Sequence, residues 1–411
     1  MSEFEANGQA LGEGCRAIPR SAFGVHTILR IRDLCRAVDN YRSFQSHVSK
    51  TNTHCAVVLK ADAHGIGASE IAPMLYDAGC RYFFVEECIE GISLRDSLPF
   101  ADSKIYVMAG LLEGEQDDFL SRQLIPCLNS IDQIELWRAF ARSCGIILNS
   151  VVHLDSGMNR IGLGHDQAND LASRFDELTV GLKVDFFMSH LATVKGDDHS
   201  MSFRQLENLH SMLARLPHRA VSFSCTDGVI LLPNDAFNFD IVRIGVGLLG
   251  GAPNSRDILP GTEPMMEVYV KYSQIKWIEK GETIGYGGAF TAKRRTRIAL
   301  AHVGYKDGYL RTLSNTDTNA SGAWMAIGGH AAPVIGKVSL GLTTLDVTDV
   351  PDHVLDKFYY AEVLGPNVSV RRIADISGCY EVIASLGRKN LKVADYTLAS
   401  FERVYGVVGA S

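Results

Sequence analysis

The stretch His54-Cys55-Ala56-Val57-Val58-Leu59-Lys60-Ala61-Asp62-Ala63-His64-Gly65-Ile66-Gly67 joins an apolar run to a turn that carries two glycines. Such a run is typical of a strand buried on both faces in a parallel sheet. A strand of this kind points its last side chains at the mouth of an α/β fold, and the glycines after it let backbone N–H groups face an anion. The position of Lys60 suits a lysine that forms a Schiff base with an aldehyde cofactor carrying phosphate.

Further short apolar runs follow along the chain and alternate with amphipathic segments. One such segment begins near Ser69 and ends near Asp77, and another covers residues 131–144, both with helical spacing. Eight strand–helix units between residues 54 and 247 predict a TIM (β/α)8 barrel within an α/β fold. The predicted strands are residues 55–59, 82–85, 104–108, 125–128, 151–154, 184–188, 220–224 and 241–244.

The pattern changes after about residue 260, where alternating strands appear without long helices. Glycine turns separate these strands, as expected for hairpins and a small barrel. The predicted strands here include residues 268–272, 297–300, 324–327 and 357–360. We therefore expect a loose N-terminal extension over residues 1–21, a barrel domain over 22–258 and a mainly β domain over 259–411. Residues 22–32 could join either domain.

The composition is that of an ordinary globular protein: 411 residues, 46% hydrophobic and 21% charged. The net charge of −7 argues against nucleic-acid binding, and no apolar run approaches the roughly 20 residues that span a bilayer. Nine scattered cysteines form neither a disulfide nor a zinc pattern, and the loop Asp197-Asp198-His199 indicates solvated surface, so no metal is expected. Residues 1–20 lack the apolar core of a signal peptide. We expect a cytoplasmic protein whose partner is a small molecule.

Six more segments carry distinctive patterns: 153–162 (HLDSGMNRIG), 189–193 (SHLAT), 242–247 (VRIGVG), 285–290 (GYGGAF), 303–311 (VGYKDGYLR) and 380–382 (YEV). Together with residues 60–67 they resemble, in the same order, motifs of the bacterial alanine racemases, fold-type III enzymes that depend on pyridoxal 5′-phosphate (PLP). The resemblance implies PLP as cofactor. The cofactor-binding residues that it implies are Lys60, His64, Arg160, His190, Thr226, Arg243, Gly245, Val246 and Tyr380.

The resemblance also assigns roles within this set. Arg160 would reach the phenolic oxygen of the cofactor and the substrate, and Arg243, held by His190, would contact the pyridine nitrogen. An arginine keeps its proton at ordinary pH, so the cofactor becomes a weaker electron sink, and this favours rapid reprotonation of the substrate. The backbone at Gly245 and Val246 would hold the phosphate.

Racemisation needs two proton-transfer groups on opposite faces of the α-carbon. By resemblance these are Lys60 and Tyr305, and the backbone N–H of Leu340 would bind the substrate carboxylate. In the family the β domain of one subunit covers the barrel mouth of the other. A homodimer with Tyr305 acting in trans is therefore implied.

The chain departs from the family pattern at several positions. The family usually has tyrosine at the position of His64, asparagine at Asp62, and Ala-Asn-Ser where this chain has Ser224-Cys225-Thr226. His153 stands where the best-known members carry a carbamylated lysine, so carbamylation is not expected. The largest departure is Leu340-Gly341, which replaces Met-Asp and removes a carboxylate.

The leading hypothesis is a PLP-dependent amino-acid racemase, an isomerase that interconverts L- and D-amino acids. Alanine is the first expected substrate, and the loss of a carboxylate at Gly341 leaves a larger amino acid open. One alternative is another fold-type III enzyme, an amino-acid decarboxylase or an aldolase. A second is a non-catalytic PLP-homeostasis protein, a family that lacks the β domain.

Overall fold

The structure is a computed structural model that describes residues 18–22, 24–49, 52–194, 198–251, 259–378, 386 and 393–405. The chain divides into two compact units. One comprises Cys35–Glu263, and the other is built from the segments on either side of it. The first strand, β1 (Ile28–Arg32), belongs to the second unit.

The first unit is a closed barrel of eight parallel strands. The last strand pairs with the first, with Cys55 opposite Val242, and this pairing closes the ring. The predicted TIM barrel is confirmed, and each strand lies within three residues of its predicted bounds at either end. The strands are β2 (His54–Val58), β3 (Tyr82–Val85), β4 (Lys104–Val107), β5 (Leu124–Leu128), β6 (Leu148–His153), β7 (Leu182–Met188), β8 (Ala220–Cys225) and β9 (Ile241–Ile244).

Helices connect the strands, and local signals set their ends. In the helix over Ile131–Cys144, the Ser130 hydroxyl accepts a hydrogen bond from the Gln133 backbone N–H, and Gly145 ends the helix in a left-handed conformation. The helices of this unit are α1 (Leu34–Val48), α2 (Ala68–Asp77), α3 (Cys88–Ser97), α4 (Gln116–Ser121), α5 (Ile131–Cys144), α6 (His165–Ser173), α7 (Phe175–Leu178), α8 (Ser200–Leu213), α9 (Thr226–Leu231) and α10 (Asn234–Phe237).

The second unit is mainly β, as predicted. Its strands, besides β1, are β10 (Met266–Ile278), β11 (Thr283–Ile284), β12 (Phe290–Thr291), β13 (Thr296–Ala301), β14 (Trp324–Ile327), β15 (His330–Pro333), β16 (Thr343–Asp346), β17 (Tyr360–Leu364) and β18 (Val393–Thr397). The long β10 pairs with β1, β13 and β17. The order β10, β13, β16, β15, β14, β17 forms a ring, in which the isolated bridge between Val334 and Leu345 joins the ends of β15 and β16.

Three helices belong to this unit: α11 (Asp352–Lys357), α12 (Val370–Ser377) and α13 (Leu398–Tyr405). The predicted strand over residues 357–360 is wrong, because Lys357 ends α11 and the strand begins only at Tyr360. None of the helices in the described part of the chain is long and apolar enough to cross a membrane.

Candidate active site

The barrel interior decides which side chains reach its mouth. Alternate residues of the strands fill this interior, among them Ala56, Phe84, Tyr106, Val151, Met188 and Ile241. Side chains two or four residues further along each strand point in the same direction. At the carboxyl ends these side chains are Lys60, Glu86, Met108, His153, His190 and Arg243. All six line one cavity of about 280 Å³ at the carboxyl ends of the strands. Active sites of TIM barrels lie at this end.

Lys60 opens an unusual turn. The four residues after it, from Ala61 to His64, all have left-handed backbone conformations, with φ between 52° and 57°. Each such residue with a side chain costs about 1–2 kcal/mol. Side chains fasten the turn: the Asp62 carboxylate accepts the Ala68 N–H at 2.8 Å, and the Glu90 carboxylate accepts the Ala61 N–H at 2.7 Å.

The Lys60 ammonium contacts a carboxylate at the end of the neighbouring strand. Its Nζ lies 2.7 Å from Glu86 Oε2, and both side chains are partly exposed, by 35% and 46%. Glu86 was not predicted as a site residue. The signal available in the sequence was its position one step of the strand period beyond buried Phe84.

Arg160 ends a loop organised by one carboxylate. Asp155 Oδ1 accepts the backbone N–H groups of Gly157, Met158 and Asn159 at 2.8–3.1 Å. Gly162 has φ +110°, and a Cβ there would lie 3.0 Å from the Asp155 nitrogen and 3.2 Å from the His153 ring. The Asp-x-Gly-x-x-Arg-x-Gly pattern thus builds a tight loop that carries exposed Arg160 to the cavity.

Arg243 is buried, and its hydrogen-bond partners are neutral. It donates to the Ser222 hydroxyl at 2.6 Å and to the Ser189 carbonyl at 2.7 Å, and His190 Nδ1 lies 3.3 Å from its Nη2. In the described part of the chain it forms no salt bridge within 4.0 Å. Burial lowers the pKa of Arg243, but a guanidinium begins so high that it stays charged.

Three histidines of the cavity are uncharged near neutral pH. Burial, reinforced by Arg243, lowers the pKa of His153 to about 3 and holds the pKa of His190 well below its usual range. Burial and the charge of Lys60 also lower the pKa of His64. His153 Nδ1 lies 2.7 Å from Asn129 Oδ1, so this nitrogen carries the proton and donates it. Its other nitrogen is then an acceptor.

A turn with two glycines lies where β9 ends. The Thr226 hydroxyl accepts the backbone N–H groups of Gly245 and Gly247, both at 3.3 Å. A Cβ at Gly245 would lie 3.3 Å from His64 Nε2, and one at Gly247 would lie 2.6 Å from the Phe44 ring. The glycines therefore let this backbone approach His64 and α1 closely, and Gly245 and Val246 line the same cavity.

Tyr305 and Leu340 lie together in the second unit. The backbone N–H groups of Tyr305 and Lys306 donate to the carbonyls of Ser339 and Leu340, both at 3.1 Å. A Cβ at Gly304 would lie 2.2 Å from the Ser339 oxygen, so the glycine is required there. Both side chains are exposed, by 45% for Tyr305 and 55% for Leu340. The predicted residue Tyr380 lies outside the described residues.

Buried polar side chains that were not predicted hold the loops of the site together. Gln205 accepts the Ala192 N–H at 2.8 Å and donates to the His190 carbonyl at 3.0 Å. Asn129 orients His153, and Ser222 receives Arg243. Each comes from another strand or helix than its partner, so no local motif indicates it.

A larger cleft of about 770 Å³ opens at the amino ends of the strands. Its polar groups contact one another. The buried carboxylate of Asp185 lies 3.5 Å from Lys104 Nζ and accepts the Tyr106 hydroxyl at 3.4 Å. Its two lysines, Lys104 and Lys183, both form salt bridges with Asp185. Because active sites of TIM barrels lie at the opposite end, the chemistry is assigned to the cavity at the carboxyl ends.

Known proteins resemble this chain along most of its length. The sequence model of the alanine racemase N-terminal domain matches residues 33–253, and that of the C-terminal domain matches residues 265–393. A catabolic alanine racemase of Agrobacterium fabrum is 35% identical over 359 residues, which cover 87% of this chain and 89% of that protein. The alanine racemase of Rhodospirillum rubrum is 34% identical over 365 residues, covering 88% and 94%.

A solved structure agrees with these matches. The crystal structure of alanine racemase from Bartonella henselae, which has covalently bound pyridoxal phosphate, superimposes with a TM-score of 0.79. It is 29% identical and covers 90% of this chain and 99% of that chain. Sequence, fold and the arrangement of the cavity lead to the same conclusion: the chain belongs to the alanine racemase family.

Proposed function

We propose that this chain is a PLP-dependent amino-acid racemase, an isomerase, with alanine as its substrate. The observation that carries the proposal is the position of Lys60, at the mouth of the barrel in a cavity shared with Arg160 and Arg243. The proposal is supported by the relatives, which are alanine racemases. Racemases of larger amino acids are the second candidate, because Leu340-Gly341 lacks the carboxylate of the family motif.

The donors of the cavity fit PLP. The Lys60 amine suits the aldehyde, and Arg243 suits the ring nitrogen because it is a buried cation whose hydrogen-bond partners are neutral. The phenolic oxygen would be held by Arg160. The phosphate would be held by the backbone of Gly245 and Val246, with His64 and the Thr226 hydroxyl beside it. We also infer a contact from Tyr380, by resemblance alone.

The reaction moves one proton at the substrate α-carbon. Bound PLP withdraws electrons from this carbon, so that its C–H bond becomes acidic. Lys60 takes or returns the proton on one face, and Tyr305 does so on the other. Arg243 keeps its proton and does not transfer it to the ring nitrogen, so bound PLP is a weaker electron sink. The substrate is then reprotonated rapidly, before side reactions occur.

Tyr305 is proposed to act in the barrel of a partner subunit, in a homodimer whose active sites are shared. The exposure of its ring and of Leu340, which would offer its N–H to the substrate carboxylate, supports this role. We infer that the PLP-binding domain is the barrel and that residues 22–32 belong to the β domain, since β1 pairs with β10. We further propose a cytoplasmic location, supported by the free thiols of the seven described cysteines.

The alternatives are not favoured. A decarboxylase or aldolase would use the same cofactor, but the relatives that match this chain are racemases. A PLP-homeostasis protein lacks a β domain, whereas residues 265–393 match the C-terminal domain of alanine racemases.

The test is α-proton exchange in heavy water, followed by NMR on the PLP-loaded protein with a panel of L-amino acids and with the enantiomers resolved. We expect L-alanine to exchange its α-proton and become racemic. The variant Lys60→Ala should lose both, whereas Lys183→Ala, which changes an exposed lysine at the other end of the barrel, should behave like the parent. If only another amino acid exchanged its α-proton, that amino acid would be the substrate instead of alanine. Cleavage or decarboxylation of the amino acid would refute the proposal that the enzyme is a racemase.

A further inference from the structure

The carboxylate of Glu86 is the acid closest to the amine of the proposed base. Glu86 Oε2 lies 2.7 Å from Lys60 Nζ, and among the described residues this is the one salt bridge recorded for Lys60. The acid lies at the mouth of the barrel, where it lines the same cavity as Arg160 and Arg243. Neither the family motifs nor the predicted roles include it.

The contact is fixed through the backbone at both ends. One carboxylate, that of Glu90, accepts the Ala61 N–H with Oε1 and the Glu86 N–H with Oε2, both at 2.7 Å. The strands that end before Lys60 and Glu86 are also paired, with Val58 opposite Phe84. Glu90 therefore joins the backbone of Glu86 to the backbone of the residue after Lys60, in addition to the pairing of the two strands.

The two arginines of the cavity explain why a carboxylate next to Lys60 matters. Arg160 and Arg243 face the same space, and both repel an ammonium at Lys60. Charge-assisted hydrogen bonds are about twice as strong as neutral ones, so a carboxylate at 2.7 Å offsets that repulsion whenever the amine is charged. The histidines cannot do this, because they carry no negative charge in any protonation state.

We propose that Glu86 is a positioning residue that holds the ammonium of Lys60 during proton transfer. This inference rests on the proposed function. The Cα–H bond of the substrate breaks, its electron pair stays on the substrate, and the proton forms a new N–H bond on Lys60. Glu86 remains a carboxylate and accepts a hydrogen bond from that ammonium. In the reverse direction it keeps the ammonium aimed at the α-carbon until the proton is returned.

The experiment compares Glu86→Gln with the parent enzyme loaded with PLP, using both enantiomers of alanine. Glutamine keeps the shape and the hydrogen-bond acceptor but removes the charge. We expect kcat to fall by about 10- to 100-fold, and KM to change by less than about 3-fold. Glu113→Gln is the matched control, because it removes an exposed acid from the loop after β4.

Isotope effects separate positioning from a general structural effect. In Glu86→Gln the transfer at Lys60 becomes slower than that at Tyr305. For the enantiomer whose α-hydrogen Lys60 removes, the isotope effect of α-deuterated substrate on kcat should then increase. For the other enantiomer, the isotope effect of heavy water on kcat should increase instead. Glu86→Asp restores the charge on a shorter side chain and should recover part of kcat and of this asymmetry.

Each outcome decides between the two proposals. Isotope effects that change equally for both enantiomers, or a kcat like that of the parent, would overturn the role of Glu86 while Lys60→Ala remains inactive. An active Lys60→Ala variant would instead overturn the proposed function. A loss in Glu86→Gln that is due to weaker PLP binding would appear as a reduced ratio of bound PLP to chain in spectrophotometric titration, and would also count against positioning.

Discussion

His153 lies among cations and is itself uncharged. Its side chain is 4% exposed, and burial with Arg243 nearby lowers its pKa to about 3. In the unfolded chain a histidine has a pKa of about 6.5. As the pH falls below that value, the unfolded state binds a proton that the folded state does not, so folding stability is lost from about pH 6.5 downwards.

We predict that His153 alone removes about 2 kcal/mol of unfolding free energy between pH 7 and pH 5. The variant His153→Gln, which can still donate to Asn129, should lose less stability over this interval than the parent. Urea unfolding at the two pH values measures the difference. The control His218→Gln changes an exposed histidine and should follow the parent. An identical pH dependence in parent and His153→Gln would contradict the prediction.

Individual site residues could be predicted where a motif surrounds them. Lys60, Arg160 and Arg243 stand in local patterns, and they line one cavity. Glu86 and Asn129 do not. Each acquires its importance from a partner on another strand, and strand register is set by the whole barrel rather than by neighbouring residues.

At the scale of elements, the strands of the barrel were predictable because most positions of each are buried and each contains a short apolar run. The four-residue alternation at 357–360 was not a strand, since a pattern of this length fits the last turn of a helix equally well. The turn after Lys60 was also not predictable in detail. Left-handed alanines oppose local preference, and the Glu90 carboxylate that fastens the turn comes from another helix.

For this turn we predict that one substitution raises stability and lowers activity. Ala61→Gly removes a strained side chain, so we expect the unfolding free energy to rise by up to about 1 kcal/mol. The same change loosens the backbone next to Lys60, so kcat should fall. Ala78→Gly, at a position with φ −76°, should instead destabilise the protein. Urea unfolding and racemisation rates check both, and a destabilising Ala61→Gly would show that the turn is not strained.

At the scale of the whole molecule, the proposed sharing of active sites has a quantitative consequence. Lys60→Ala and Tyr305→Phe are each expected to be inactive as pure dimers. If Tyr305 acts in trans, a mixed dimer contains one site with both native residues and one with neither. Random pairing of two co-expressed variants should therefore restore about one quarter of the parent activity. Separately tagged chains allow the mixed dimer to be purified and assayed.

A site completed within one subunit would give no restoration, because every site would then lack one base. The parent enzyme should also lose activity on dilution, as the dimer dissociates. Sedimentation at the same concentrations measures the dissociation directly. Activity that stays constant in a purely monomeric sample would contradict the shared site.

The strands of the second unit come from the segments that precede and follow the barrel in the sequence. In this unit, β1 pairs with β18, and the Asp395 carboxylate accepts hydrogen bonds from Arg30 and Arg32, which lie 365 and 363 positions earlier in the chain. At a synthesis rate of 5–20 residues per second, roughly 20 to 70 seconds separate the appearance of the arginines on the ribosome from that of their carboxylate. During this interval the barrel segment of each new chain has been synthesised, but β18, one of the two strands that pair with β1, has not.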